Sequence, residues 1–250
     1  MEKMNKKMKK ITKLATVLFI AVLILIIVVL LILKYQVEGE KNMPFKLGKI
    51  MIISTAEGIH KDETEATWDL DVVQNNDVYI EIDKNKNYKD TEIIDKIVLD
   101  NLKVISPMKV GELVIYRPTT NENKAYEYID EFIIKDKLEY VGSKQTNIKN
   151  MEVANQGGML LFRYCIKNIG EYSSNEDTEI QHDGTLLAKA GITLEQIECE
   201  VAFDITITLK SGIGYKGTVN LKLPVGNLID EGTSSIEITD FSNVVFKRIW

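Results

Sequence analysis

The chain has 250 residues, 45% of them hydrophobic, with 37 acidic against 31 basic residues and a net charge of −6. That balance argues against binding nucleic acid or another anionic polymer through bulk charge. Two cysteines, Cys165 and Cys199, are too few for a disulfide framework.

The first thirteen residues carry Lys3, Lys6, Lys7, Lys9, Lys10 and Lys13 against Glu2 alone, so the remainder holds 25 basic and 36 acidic residues, a balance of −11. Residues 14–33, LATVLFIAVLILIIVVLLIL, contain no charge, and Thr16 is their one polar residue. Twenty helical residues rise about 30 Å, the hydrocarbon thickness of a bilayer. The Thr16 hydroxyl can bond to a carbonyl one turn back and so does not oppose insertion. Beyond the run come Lys34, Tyr35, Glu38, Glu40 and Lys41. The lysine excess on the first flank predicts a cytoplasmic N-terminus, and Tyr35 suits the outer interface. The lysines nearest the bilayer also attract anionic head groups, at about 1 kcal/mol each. A cleaved signal would have an apolar region of about 7–15 residues and a small-residue cleavage site. Here the run is longer, KYQVEGE offers no Ala-x-Ala pattern, and no lipoprotein cysteine follows it. The expected organisation is a cytoplasmic basic segment (1–13), a transmembrane helix (14–33), a linker (34–44) and an extracytoplasmic domain (45–250).

From residue 45 onward the apolar period is mostly two. FKLGKIMIIST reads as a strand, and ATWDLDVV alternates Trp68, Leu70 and Val72 with Asp69 and Asp71. Gln74–Asp77 reads as a turn, with VYIEI returning as its hairpin partner. The polar stretch DKNKNYKDTE leads to IVLDNLKVI, a turn at SPMKVG, and ELVIYRP. NKAYEYIDEFI fits helix or strand equally, and EFIIKDKLEYVG is a strand or strand pair. VANQGG is a loop before MLLFRYCIKNI. GTLLAKAG predicts two helical turns, started at Asp183 or Thr185 and stopped by Gly191. Residues 197–209 alternate most regularly, with Ile197, Cys199, Val201, Phe203, Ile205 and Ile207 on one face. SGIG turns the chain into YKGTVNLKL, and SIEITDFSNVVFKRI supplies one or two more strands. About ten strands with one or two short helices predict an all-β fold, an antiparallel β-sandwich behind an N-terminal transmembrane helix.

The blocks KYQVEGEKNMPFKLGKIMIISTAEG, NNDVYIEIDKN, NQGGMLLFRYCIKNIGEY and LPVGNLIDEGTSSIEITD resemble a group of uncharacterised clostridial single-pass membrane proteins with an extracytoplasmic β domain. The resemblance covers nearly the whole chain after the anchor. It implies the same architecture and a Gram-positive, anaerobic source in which a structural disulfide is disfavoured. It implies no activity and no functional residue.

Several patterns invite a chemical reading. Ser106-Pro107-Met108-Lys109, Ser173-Ser174-Asn175 and Lys210-Ser211-Gly212 follow the chain order of the S-x-x-K, S-D-N and K-T-G signatures of penicillin-binding acyltransferases. That chemistry needs Ser and Lys one helical turn apart, whereas SPMKVGE lies between two predicted strands. A sortase-like cysteine needs a nearby His and Arg, for which Cys199 with His182 and Arg248, or Cys165 beside Arg163, are the candidates. Cys199 shares its face with aliphatics, and burial raises a thiol pKa. His60 and His182 stand in polar sequence without a metal partner at useful spacing. Asp83-Lys84-Asn85-Lys86-Asn87 begins like an EF-hand loop, but Tyr88 replaces its glycine and Ile94 its final glutamate. Ser173–Glu179 is a second acidic loop. Trp68, Tyr79, Tyr116, Tyr126 and Tyr128 would stack on sugars if they shared an exposed face. None of these forms a coherent set, so no catalytic, cofactor-binding or metal residue is assigned and no cofactor is expected. The sequence points to a membrane-anchored envelope interaction or assembly module with a protein partner. A ligand-binding module for wall carbohydrate or a divalent ion is the alternative, and an acyltransferase the third reading.

Overall fold

A computed structural model describes residues 2–41, 43–61, 68–88, 91–118, 137–145, 147, 150–174 and 185–249. It begins with one uninterrupted helix, α1 (Glu2–Lys41). Its stretch Lys9–Ile32 is long and apolar enough to cross a membrane, and every side chain in that stretch is exposed. The Thr16 hydroxyl donates to the Thr12 carbonyl at 2.9 Å, so the single polar group of the apolar run is satisfied within the helix. The helix continues through residues 34–41, so most of the expected linker is helical.

Among the described residues eleven strands follow: β1 (Phe45–His60), β2 (Trp68–Lys84), β3 (Ile94–Ser106), β4 (Glu112–Tyr116), β5 (Lys137–Ser143), β6 (Glu152–Ala154), β7 (Gly158–Ser174), β8 (Cys199–Leu209), β9 (Gly214–Leu223), β10 (Thr233–Ile238) and β11 (Lys247–Arg248). They form two sheets, one ordered β10-β1-β2-β7-β4 and the other β11-β9-β8-β3-β5-β6. All pairings are antiparallel except β5 with β6. This is the expected all-β sandwich behind an N-terminal helix. Among the described residues three one-turn helices, α2 (Leu186–Lys189), α3 (Leu194–Ile197) and α4 (Leu228–Glu231), sit in the connections. Thr185 stands at the N-terminal boundary of α2 without a side-chain cap bond to it, and Gly191, at φ +70°, follows it as the stop signal predicted.

Period-two alternation aims one face of each sheet inward. Ile50, Ile52, Val78, Ile80, Leu160 and Phe162 of the first sheet meet Ile97, Leu99, Phe203, Ile205 and Ile207 of the second, all fully buried. Phe162 joins the layers, packing edge-on against Phe203 with ring centroids 5.6 Å apart. The Tyr140 hydroxyl of β5 crosses the core and donates to the Leu161 carbonyl at 2.7 Å. That carbonyl belongs to the part of β7 beyond the reach of β4, which pairs only from Arg163 to Lys167.

One expectation is overturned. Gln74–Asp77 is not a turn, and ATWDLDVV and VYIEI are not hairpin partners but parts of the single strand β2. The hairpin is formed instead by β1 and β2 across residues 61–67. Gln74 and Asn76 point into the sandwich, fully buried beside Ser54 of β1. The Ser54 hydroxyl donates to Asn76 Oδ1 at 2.6 Å, Gln74 Nε2 to the same oxygen at 3.0 Å, and Asn76 Nδ2 to Gln74 Oε1 at 2.7 Å. The backbone N–H of Val225 closes the group by donating to Ser54 Oγ at 2.9 Å. Gln74 and Asn76 fit inside a strand here because their amides bond each other and Ser54.

Candidate functional site

The outward faces of the two sheets carry the polar side chains that a site would use. On the first sheet Asp77 and Arg163 are direct cross-strand partners on β2 and β7. Arg163 grips Asp77 through both carboxylate oxygens, Nε to Oδ1 at 2.5 Å and Nη2 to Oδ2 at 3.0 Å, and both side chains are mostly covered. Beside them Asn75 Nδ2 donates to Glu57 Oε2 at 2.9 Å, and the Lys167 ammonium lies 5.5 Å from the centre of the Tyr116 ring. Burial, reinforced by the Asp77 charge, raises the pKa of the neighbouring Tyr79 hydroxyl. Val73, Tyr116 and Cys165 form a small buried apolar cluster on this same outward face.

The second sheet has an ionic group around Asp204 of β8. Its carboxylate accepts from Thr218 Oγ1 at 2.6 Å and from Asn101 Nδ2 at 3.1 Å, and lies 3.1 Å from Lys216 Nζ. Lys216 also reaches Asp100 at 3.2 Å. Burial alone would raise the Asp204 pKa, but the hydrogen bonds from Thr218, Lys216 and Asn101 outweigh it and hold the carboxyl below its usual range. Asp77 and Arg163 match one to one, whereas Asp204 and Asp100 share Lys216, with Thr218 and Asn101 completing the Asp204 carboxylate.

Among the described residues, Arg163 lies beside Cys165, but the members of the acyltransferase pattern and the Cys199–Arg248 pair are not brought together. Ser106 pairs with Glu200 at the start of β8, while Lys210 follows its end, ten residues or about 34 Å along the strand. Lys109 Nζ is held by Glu195 at 2.9 Å, and Ser106 ends a strand instead of starting a helix. Ser173 Oγ bonds Asp69 at 2.7 Å, Ser211 Oγ bonds Glu92 at 3.0 Å, and Lys210 pairs with Asp95. Asn175 lies outside the described residues.

Cys199 aligns with Leu223 on β9 and Arg248 with Tyr215, about 27 Å apart along that strand. His182 lies outside the described residues. Burial pushes the Cys199 thiol up to about 11 and the Cys165 thiol up to about 12, the latter against the lowering pull of Arg163 and Lys167. Cys199 faces the core, whereas Cys165 faces outward from the other sheet, and both are free thiols. A disulfide between them is excluded by their opposite orientation.

The EF-hand-like stretch is a turn. Asn85 donates from its backbone to the Pro44 carbonyl and from Nδ2 to the Met43 carbonyl, both at 2.8 Å, and accepts from the Asn87 N–H. His60 ends β1. Among the described residues no three His, Cys, Asp or Glu side chains converge as a metal site. Most of Ser173–Glu179, together with Tyr126, Tyr128 and the Trp68 side chain, falls outside the described residues. Sequence reasoning missed Asp77–Arg163, whose members are 86 positions apart, but Asp204 and Lys216 could have been paired by extending the SGIG hairpin register. Compared with known proteins, the chain matches no family model, no curated protein and no solved structure.

Proposed function

We propose that the protein is a single-pass, membrane-anchored interaction or assembly module of the cell envelope, with a cytoplasmic N-terminus and an extracytoplasmic sandwich that acts by binding and not by catalysis. The observation that carries this reading is the direct joining of a helix, apolar and exposed from Lys9 to Ile32, to the sandwich. Lys41 ends α1, and Met43 and Phe45 are already buried in the core. Such a joint suits a part that presents a surface at a fixed place on a membrane. The separation of Ser106 from Lys210, and of Cys199 from Arg248, further supports binding over acyl transfer.

The test is crosslinking in intact cells of a C-terminally tagged full chain, with identification of what is captured. A defined envelope protein is the expected result. Capture of wall polymer alone would replace this reading with the ligand-binding module. Turnover of a cell-wall substrate by the purified full chain would overturn the non-catalytic reading.

A further inference from the structure

The near end of the sandwich is fixed by the chain itself. Only residues 42–44 separate α1 from β1, and Met43 and Pro44 are held against the sandwich. Met43 is 4% exposed, and Asn85 bonds both the Met43 and Pro44 carbonyls. The same end holds the close of β2, the opening of β3, the β8–β9 turn and β11, which comes within 8 Å of α1. Residues 33–41 of α1 rise about 14 Å beyond the apolar stretch. A head-group layer takes up about 5–8 Å of that rise. The sandwich therefore starts within about one Debye length, 8 Å at physiological ionic strength, of the lipid surface.

Charge is distributed unevenly along the sandwich. At the near end stand Lys46, Lys84, Lys86, Lys144, Lys210 and Arg248, against Asp83, Glu92, Asp95 and Glu152. Lys46, Lys84, Lys86 and Lys144 are exposed, and among the described residues none has a carboxylate at ion-pair distance, whereas Lys210 is taken by Asp95. At the far end Asp69, Asp71 and Glu171 crowd around Lys61, and Glu195, Glu198 and Glu200 precede or open β8, with Lys109 on Glu195 and Lys222 opposite Glu200. A balance of −11 spread evenly would leave both ends acidic. Instead the end that α1 enters has six of these basic residues against four acidic ones, because the carboxylates and not the lysines thin out there.

We propose that this basic end seats on the anionic phospholipid head groups of the membrane that holds α1, so that the sandwich is drawn down onto the bilayer. The proposal rests on α1 being an uncleaved anchor. The experiment uses the full chain carrying Asn87→Cys, labelled at that exposed turn, since burial keeps Cys165 and Cys199 unreactive. The labelled chain is reconstituted into vesicles of phosphatidylcholine alone, or with about 30% phosphatidylglycerol, and quenching by head-group spin label is read. Quenching is expected to rise about twofold with the anionic lipid and to fall back in about 1 M salt. Lys84→Glu with Lys86→Glu and Lys144→Glu should abolish the rise, and all three are surface positions that leave the core intact.

Equal quenching in both vesicles, or a rise that survives charge reversal, overturns the proposal alone. Flotation is the separate control for the anchor. A chain that floats with neither vesicle in high salt overturns the anchor reading and this inference with it.

Discussion

The two halves of β2 bury their inward faces in opposite ways. Val78, Ile80 and Ile82 are at most 1% exposed and pack against the aliphatics of the facing sheet, whereas Gln74 and Asn76 bond each other and Ser54. A two-residue slip of β2 against β1 keeps the same face inward and would cost the apolar half little. It would separate Asn76 from Ser54, its cross-strand partner, and strand buried polar groups at about 1–3 kcal/mol each. The apolar half thus supplies most of the burial, and the polar half discriminates between registers that burial alone would leave nearly equal.

Truncating the apolar half should have the largest effect. Ile80→Ala empties a fully packed position and is expected to lower unfolding free energy by about 3–4 kcal/mol, measured by urea denaturation of the full chain in detergent. A loss below about 1 kcal/mol would mean that the two sheets are not packed here as described.

In the polar half the order of effects should depend on how many partners are removed. Asn76→Ala leaves Gln74 and Ser54 with buried, unmet hydrogen-bonding groups, for an expected loss of about 2–3 kcal/mol. Gln74→Leu with Asn76→Leu removes both amides together and leaves only the Ser54 hydroxyl without its acceptor, so the double variant should lose less, about 1–2 kcal/mol. If the double variant were the less stable of the two, the amides would be net stabilisers and not discriminators of register.

This polar half is also where the sequence misled. Gln74-Asn75-Asn76-Asp77 has the composition of a turn, and nothing local shows that Ser54, more than twenty positions earlier, will meet Asn76 across the β1–β2 ladder. The anchor and β8 were legible because their signals are local, an uncharged run in one case and strict alternation from Cys199 to Leu209 in the other. The two cysteines could be called small buried hydrophobes from their neighbours. Their opposite facing required the pairing of β7 and β8 into different sheets. Arg163 drew attention as a partner for Cys165, but its actual partner, Asp77, is set by the β2–β7 register.

Titration separates the interior polar group from the ionic one on the outer face of the second sheet. Ser54, Gln74 and Asn76 contain no ionisable group, so their contribution should be the same across the pH range. Asp204 has a folded pKa held below its unfolded value, so its contribution is complete above about pH 4 and is lost as pH falls through the folded pKa. Lys216 behaves in the opposite sense. Burial alone would lower its pKa, but the hydrogen bonds to Asp204 and Asp100 raise it, so its contribution holds below about pH 10 and is lost as pH rises through the folded pKa. Asp204→Asn should therefore flatten the acid limb of the stability curve by about 1 kcal/mol, a modest figure because Lys216 is a third exposed. The Gln74→Leu, Asn76→Leu variant should shift the whole curve and leave its shape unchanged. An acid limb equally steep with and without the Asp204 carboxylate would place the acid sensitivity in other carboxylates, and the ionic group would then be no more pH-dependent than the neutral one inside.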